Sequence, residues 1–348
     1  MIAVSLVTLV PGQMGGSETY VRELLRGLQR VGTESYRVVV PPVAPRAGEG
    51  LPTEVASGYR PARTTPQRLA ALVSASLRPG PLRPPFAGAE VVHYPFTVAV
   101  PQVGVPEVVT LHDVQHLDLP QMFSRAERVY RSLFYQRSVR QADRVIVISD
   151  FVRERAVARL GLEPSTIRVV PLGLDHTVLL PREGEREPFL LYPARNWPHK
   201  NHARLFEAFA ELRREQPELR LVLTGSPFLD TPDGVESRGH VPWPEVVDLM
   251  QRAAALVFPS LYEGFGLPPL EAMACGCPVA CSNAAALPET VGDAARLFDP
   301  RDPRAIANAV RDVLAAPDEW SLRGLEHAAA YSWDTTARET EAIYRELL

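Results

Sequence analysis

Residues 262–279 read YEGFGLPPLEAMACGCPV. An apolar run, 255–258, leads into this stretch, and its last residues, 278–281, open another. Between them lie a glycine loop, a Pro-Pro pair suited to a helix's first turn, a short apolar segment, and Gly276 where that helix must stop. Strand, loop, helix, glycine stop, strand is the βαβ unit from which parallel sheets are made.

Outward from that unit the alternation continues. Upstream, 189–193 and 219–223 read as strands, with helices over 202–215 and 244–252. Downstream, 302–315, 319–330 and 335–347 have helical period. The first half repeats the design. Strands are expected over 2–10, 36–40, 90–93, 107–111, 144–148 and 167–170. Helices are expected over 19–31, 68–77 and 151–160, the last capped by Ser149 or Asp150 and ended by Gly161. Residues 41–66 are rich in Pro and Gly and read as loop. The turn VPLGLD (170–175) and the charged run REGEREP (182–188) separate the two halves. The expected fold class is therefore α/β, with two doubly wound parallel-sheet domains in tandem.

Bulk composition excludes several classes of function. The 348 residues carry a formal net charge of −4, with 46% hydrophobic and 22% charged residues, as a globular protein does. No basic excess points to nucleic acid, so no nucleic-acid partner is expected. No apolar run reaches the roughly 18 residues of a membrane span. The opening MIAVSLVTLV lacks a basic flank and reads as a buried strand, not a signal peptide. Cys275, Cys277 and Cys281 have no nearby histidine and fit no zinc pattern, so buried reduced thiols in a cytoplasmic protein are expected, and no metal site.

Ligands of doubly wound sheets collect beyond the carboxyl ends of the strands, and four such junctions are chemically loaded. In PGQMGGSE (11–18), Gly15 and Gly16 let the backbone approach an anion at a helix N-terminus, although G-x-G-x-x-G is absent. In TLHDVQHLD (110–118), His112 stands at a strand end, able to donate to a sugar hydroxyl or handle a proton, with Asp113 to orient it or bind a hydroxyl; a satisfied buried histidine is the plain alternative. His93 is a weaker case of the same kind. In PARNWPHKN (193–201), Arg195 precedes Lys200, the one lysine against 36 arginines. A forked guanidinium and a compact ammonium near a helix start suit a diphosphate. In the opening stretch, Glu263 sits among glycines, and Glu271 is expected in or near the first helical turn, where the dipole also favours an acid.

These residues resemble a family. EGFGLPPLE, two glutamates with seven residues between them, resembles the E-x7-E motif of retaining glycosyltransferases of family 4 (glycosyl transferases group 1) with the GT-B fold. GGSE resembles that family's glycine loop, TLHD its strand-end histidine, and VISDFVRE and VVPLGLD the segments leading into its linker. PARNWPHKN resembles its Arg-x4-Lys phosphate motif, and WDTTARETEAIY the C-terminal helix that crosses back onto the first domain.

The resemblance implies two Rossmann-like domains facing a central cleft. Residues 1–172 would form an acceptor-side domain, with about 333–348 packed back on it, and 173–332 a donor-binding domain. It implies transfer of a hexosyl group from a GDP- or UDP-linked sugar to a hydroxyl of a growing glycan or lipid-linked saccharide, with retention of configuration. Arg195 and Lys200 would hold the diphosphate. Glu263, with the backbone of Gly264, Phe265, Gly266 and Leu267, would meet sugar or phosphate, and Glu271 the ribose. Backbone near Val241 would meet the base. Gly15 and Gly16 would approach the phosphates, and His112 with Asp113 would lie near the transferred sugar.

No D-x-D occurs, and the fixed cations already supply positive charge for the leaving group, so no metal or other cofactor is expected. Two departures stand out: bulky Trp197 and His199 in the phosphate motif, and the irregular region 41–88 on the acceptor side. The six arginines of 125–144 are read as a solvated face, with peripheral contact to the inner face of an anionic membrane as the competing expectation. Alternatives in function are a noncatalytic nucleotide-sugar-binding subunit and a same-fold epimerase or phosphorylase. A pyridoxal-bearing phosphorylase would require a second lysine.

Overall fold

The computed structural model describes every residue except 61, 63 and 183, so these positions of the 41–66 loop and of the charged run lie outside the described residues. The chain divides into two units, Met1–Gly173 with Trp333–Leu348, and Leu174–Ser332.

In the first unit, strands and helices follow one another as β1 (Ile2–Ser5), α1 (Gly16–Val31), β2 (Tyr36–Val40), β3 (Thr53–Val55), α2 (Thr65–Leu77), β4 (Val91–Tyr94), β5 (Glu107–Leu111), α3 (Gln115–Asp118), α4 (Arg125–Gln141), β6 (Arg144–Val147), α5 (Asp150–Leu160) and β7 (Ile167–Val169). The strands form a parallel sheet in the order β3-β2-β1-β4-β5-β6-β7. β1 pairs with β2 on one side and β4 on the other, which makes the carboxyl ends of β1 and β4 the point where strand order reverses.

Two expectations change in this unit. β1 ends at Ser5, not residue 10, because Leu6, Val7 and Leu9 stay buried in a turn beyond the strand. The 41–66 loop contains the short strand β3, which pairs in parallel with β2. Elsewhere local chemistry sets the ends. The Ser149 hydroxyl accepts from Val152 N at 3.1 Å and starts α5. In α4, Ser124 and Glu127 form a capping box, which commits the Glu127 carboxylate to the helix start.

In the second unit, β8 (Glu187–Pro193), α6 (His202–Glu215), β9 (Arg220–Thr224), β10 (Val235–Ser237), α7 (Trp243–Arg252), β11 (Ala253–Phe258), α8 (Leu267–Ala274), β12 (Val279–Ser282), α9 (Leu287–Val291), β13 (Arg296–Phe298), α10 (Pro303–Ala315) and α11 (Pro317–Ala328) follow in turn. Their sheet runs β10-β9-β8-β11-β12-β13, again parallel. Here order reverses between β8 and β11, and Arg195 and Glu263 follow those two strands. α8 ends where Gly276 N donates to Met273 O and Cys277 N to Ala272 O, closing the last carbonyls.

The last helix, α12 (Trp333–Arg345), belongs to the first unit. It packs along α1, and its buried Glu341 accepts from Thr33 N at 2.6 Å, Glu34 N at 2.9 Å and Tyr36 Oη at 2.5 Å.

Candidate active site

At the reversal point of the second unit, the chain leaves β8 through Ala194 and turns back over a short 3-10 segment, Pro198–Lys200. The turn is internally fixed. Trp197 N donates to Arg195 O at 2.8 Å, and Lys200 N donates to Trp197 O at 2.9 Å. Asn201 then adopts φ 61°, an unfavourable region that Asn tolerates better than most residues. Its buried amide donates to Pro259 O at 3.0 Å and Pro300 O at 2.7 Å, which pins the start of α6.

Lys200 and Glu263 meet. Nζ lies 2.5 Å from Glu263 Oε1, with both side chains largely shielded from solvent, and 5.3 Å from the centroid of the Phe258 ring. Tyr192 Oη donates to Lys200 O at 2.6 Å from below. This is a narrow seat between an aromatic face and a carboxylate, and it fits a compact ammonium better than a planar fork.

The glycine loop is shaped for close approach. Gly266, the residue before α8, has φ +123°, and a Cβ there would meet Leu287 Cδ2 at 2.6 Å. Gly264 precedes Phe265, whose carbonyl accepts from Thr290 Oγ1 at 2.9 Å, and Leu267 opens the helix. Pro268 and Pro269 carry no N–H, so the helix start offers fewer donors than most.

Glu271 lies near the first turn of α8. It is the fifth residue of the helix, just past the first turn in which the dipole acts most strongly. It is only 9% exposed, and its carboxyl makes no hydrogen bond or ion pair among the described residues. Burial pushes its carboxyl up to about 8. Val241 lies in the loop after β10, where Gly239 O accepts from Gly225 N at 2.7 Å.

In the first unit, His112 follows β5, with Nε2 2.8 Å from Pro95 O. A carbonyl only accepts, so Nε2 carries the proton and Nδ1 presents a lone pair. Burial lowers the ring's pKa against opposing effects of that carbonyl and of Asp113. The neutral ring is therefore an acceptor at Nδ1, not a donor to a hydroxyl. Asp113 does not orient it by a hydrogen bond. Its Oδ1 accepts from Gln115 N at 2.9 Å and pairs with Arg131 at 3.3 Å. His112 packs edge-on against Tyr20 at 5.1 Å. Gly15 and Gly16 open α1, and a Cβ at either would meet nothing within 4 Å.

Comparison with known proteins places the chain. Residues 14–178 match the model described as Glycosyltransferase Family 4, and residues 181–326 the model described as Glycosyl transferases group 1. The O-antigen chain mannosyltransferase B of Escherichia coli is 30% identical over 266 residues, covering 68% of this chain and 70% of that protein. The chain belongs to the group 1 glycosyltransferases, of GT-B fold. The MMP alpha-(1->4)-mannosyltransferase of Mycolicibacterium hassiacum is 32% identical over 61% of this glycosyltransferase and 56% of that protein. In fold the glycosyltransferase is similar to sucrose-phosphate synthase from Thermosynechococcus elongatus, with TM-score 0.75 at 22% identity over 99% and 98% of the two chains. It is likewise similar to Anabaena HepE in complex with UDP and glucose, with TM-score 0.73 at 18% identity over the whole of both chains.

Two residues of the glycosyltransferase's site escaped the sequence reading. Gly225 ends β9 at φ +101°, and a Cβ there would lie 2.9 Å from Ala194 C and 3.1 Å from Arg195 N. Its missing side chain lets the Arg195 turn sit down on the sheet. Ser226 Oγ accepts from Asn196 N at 3.1 Å and ties down the same turn. The signal was T-G-S directly after a strand. Among the described residues, no group of three or more His, Cys, Asp or Glu is placed to hold a metal ion, and no helix is long and apolar enough to cross a membrane.

Proposed function

We propose that this glycosyltransferase moves a hexosyl group from a GDP- or UDP-linked sugar to a hydroxyl of a growing glycan or lipid-linked saccharide, with retention. The observation that carries the reading is the Lys200–Glu263 contact, 2.5 Å, at the point where the second sheet's strand order reverses. Before donor binds, the ammonium is neutralised by that carboxylate. A diphosphate takes Lys200 and frees Glu263 to accept from sugar hydroxyls. Arg195 stands on the same turn and supplies the second cation. Charge separates as the glycosidic bond to phosphate breaks, and cations already fixed in place favour the departing diphosphate without reorganising. On this reading no metal is required.

Glu271 completes the donor half. A buried carboxyl with no hydrogen bond or ion pair among the described residues suits the two hydroxyls of a ribose. The backbone of Gly264, Phe265, Gly266 and Leu267 meets sugar or phosphate, and backbone near Val241 meets the base. From the first unit the reaction draws on Gly15 and Gly16 for phosphate approach. It draws on His112, as a hydroxyl acceptor at Nδ1, for the reacting sugar, with Asp113 nearby. Two of the similar curated proteins are named as mannosyltransferases, which makes GDP-mannose the first donor to test.

The test is a thermal-shift panel of GDP-mannose, UDP-glucose and other nucleotide sugars, run with and without EDTA. A ligand of the native state at a hundred times its Kd adds about 2.7 kcal/mol, enough to raise Tm by several degrees. One donor shifting Tm equally in both conditions supports the reading. No shift with any nucleotide sugar, or a shift abolished by EDTA, overturns it.

A further inference from the structure

The peptide between Phe265 and Gly266 lies in the middle of the glycine loop, and its two polar ends are held differently. Its carbonyl accepts from the Thr290 hydroxyl at 2.9 Å. Its N–H, carried by the buried Gly266, has no hydrogen-bond acceptor among the described residues. A buried backbone N–H left unpaired is rare and costly, which marks this one as a donor to a ligand. Few other donors open α8, because Pro268 and Pro269 carry no N–H.

Thr290 decides which way that N–H points. The peptide is trans, so its carbonyl and N–H point in opposite directions, and a carbonyl held on the α9 side turns the N–H away from α9. Glycine at 266 would otherwise let the peptide plane turn over, since it takes φ of either sign. Thr290 is itself fixed. It is 1% exposed, its N–H donates to Ala286 O at 3.1 Å, and its carbonyl accepts from His327 Nε2 at 2.7 Å and Tyr331 Oη at 3.4 Å. A helical threonine hydroxyl often turns back to a carbonyl of its own preceding turn, whereas this one reaches across to the loop.

We propose that Thr290 is a positioning residue for the donor diphosphate: its hydroxyl sets the plane of the 265–266 peptide so that the Gly266 N–H is aimed at an anionic oxygen of that group. This rests on the reading above that the loop's backbone meets the donor. A backbone dipole already fixed in place favours the anion because it need not reorient when the ligand arrives.

The experiment is calorimetric titration of the intact protein with UDP and GDP, which contain the diphosphate, and with uridine and guanosine, which lack it. Thr290→Val removes the hydroxyl at nearly constant volume and keeps the backbone carbonyl that His327 and Tyr331 bond. It is expected to weaken diphosphate binding about tenfold, the scale of one hydrogen bond to a charged group. Nucleoside binding is expected to stay unchanged. Thr290→Ala removes the same hydroxyl without placing a methyl against the Phe265 carbonyl, and is expected to give the same loss. Thr290→Ser keeps the hydroxyl and is expected to restore most of the affinity. A melting curve on each variant checks that the titrated protein is folded. An equal loss for the nucleosides, a loss in Thr290→Val that Thr290→Ala does not share, or a loss in Thr290→Ser as large as in Thr290→Val overturns the inference, since packing or the fold would then be at work. Parent affinity for the diphosphates in both Thr290→Val and Thr290→Ala overturns this inference alone. A parent that binds UDP and GDP no more tightly than the nucleosides overturns the diphosphate reading and this inference with it.

Discussion

Beyond the central strands of the second unit stand a lysine and a glutamate in contact, an arginine on an indole, and a buried carboxyl with no hydrogen bond or ion pair among the described residues. On the corresponding strands β4 and β5 of the first unit, the polar groups around His93 satisfy one another. His93 Nδ1 lies 2.7 Å from Tyr344 Oη, and its Nε2 2.8 Å from Thr110 Oγ1, which in turn lies 3.0 Å from Tyr20 Oη. Burial pushes His93 down to about 3, so that network is neutral. Two sheets of like topology thus differ: the first holds a closed neutral network around His93, and the second places a cation and a carboxylate in contact beyond its central strands. The second is set up to exchange protein partners for a charged ligand. In the first, the network around His93 is closed, and His112 Nδ1 lies outside it with its lone pair presented.

The hardest way to break that contrast is to remove the ammonium. Lys200→Met is expected to lower kcat/KM by about a hundredfold or more, the scale for losing one fixed donor to a developing anion. Lys200→Arg keeps the charge but not the shape, and is expected to retain under about a tenth of the activity. Lys200→Met also strands Glu263, so adding Glu263→Gln should recover stability while activity stays lost. Steady-state kinetics beside a melting curve separates the two effects. Full activity in Lys200→Arg would show that the seat beside Phe258 does not discriminate, and the lone lysine would lose its explanation.

Glu271 sharpens the contrast through pH. Its folded pKa of about 8 lies above the ordinary carboxylate value near 4.3, so the folded state holds the proton more tightly than the unfolded. Its contribution to stability is complete below the ordinary value and is lost as pH rises through 8, with a slope of up to about 1.4 kcal/mol per pH unit. Glu271→Gln should remove that component. The variant is expected to match the parent near pH 4.5 and to melt several degrees higher at pH 8.5, with weaker donor binding at both. Parallel melting curves across this range would mean that the carboxyl is ionised in the fold, held by a partner the structure does not show.

How much of this could be read in advance differs by element. Helix α6 spans 202–215 and strands β2 and β5 span 36–40 and 107–111, as the periodicity requires. Each is a buried element bounded by a clear stop. The apolar run that opens the chain misled, because buried loop and buried strand look alike without period. Strands β3, β10 and β13 are three residues each at or near sheet edges, too short for any alternation to show. At the site, Lys200 and Glu263 were each visible from composition and local loop chemistry. Their contact was not, because it joins positions 63 residues apart and depends on which strands are neighbours. The position of Glu271 near the first turn of α8 was legible, but its burial was not, because burial is a property of the packed helix.

The smallest expected effect tests the closed side of the comparison. Tyr344→Phe takes one hydroxyl from the network and leaves His93 Nδ1 without a partner, while the ring that packs against His93 at 5.5 Å remains. Loss of one buried neutral hydrogen bond costs about 1–3 kcal/mol when its partner is left unsatisfied. Tyr344 belongs to α12 and His93 to β4, so the bond ties the last helix to the first sheet, 251 residues back along the chain. Denaturant unfolding should show the loss in midpoint with the slope unchanged. Affinity for UDP and GDP should be unaltered, because nothing in this network is needed by a charged ligand of the second unit. A change in diphosphate affinity larger than about twofold would mean that the neutral network couples to the donor site, and the division between a closed first sheet and an open second one would fail.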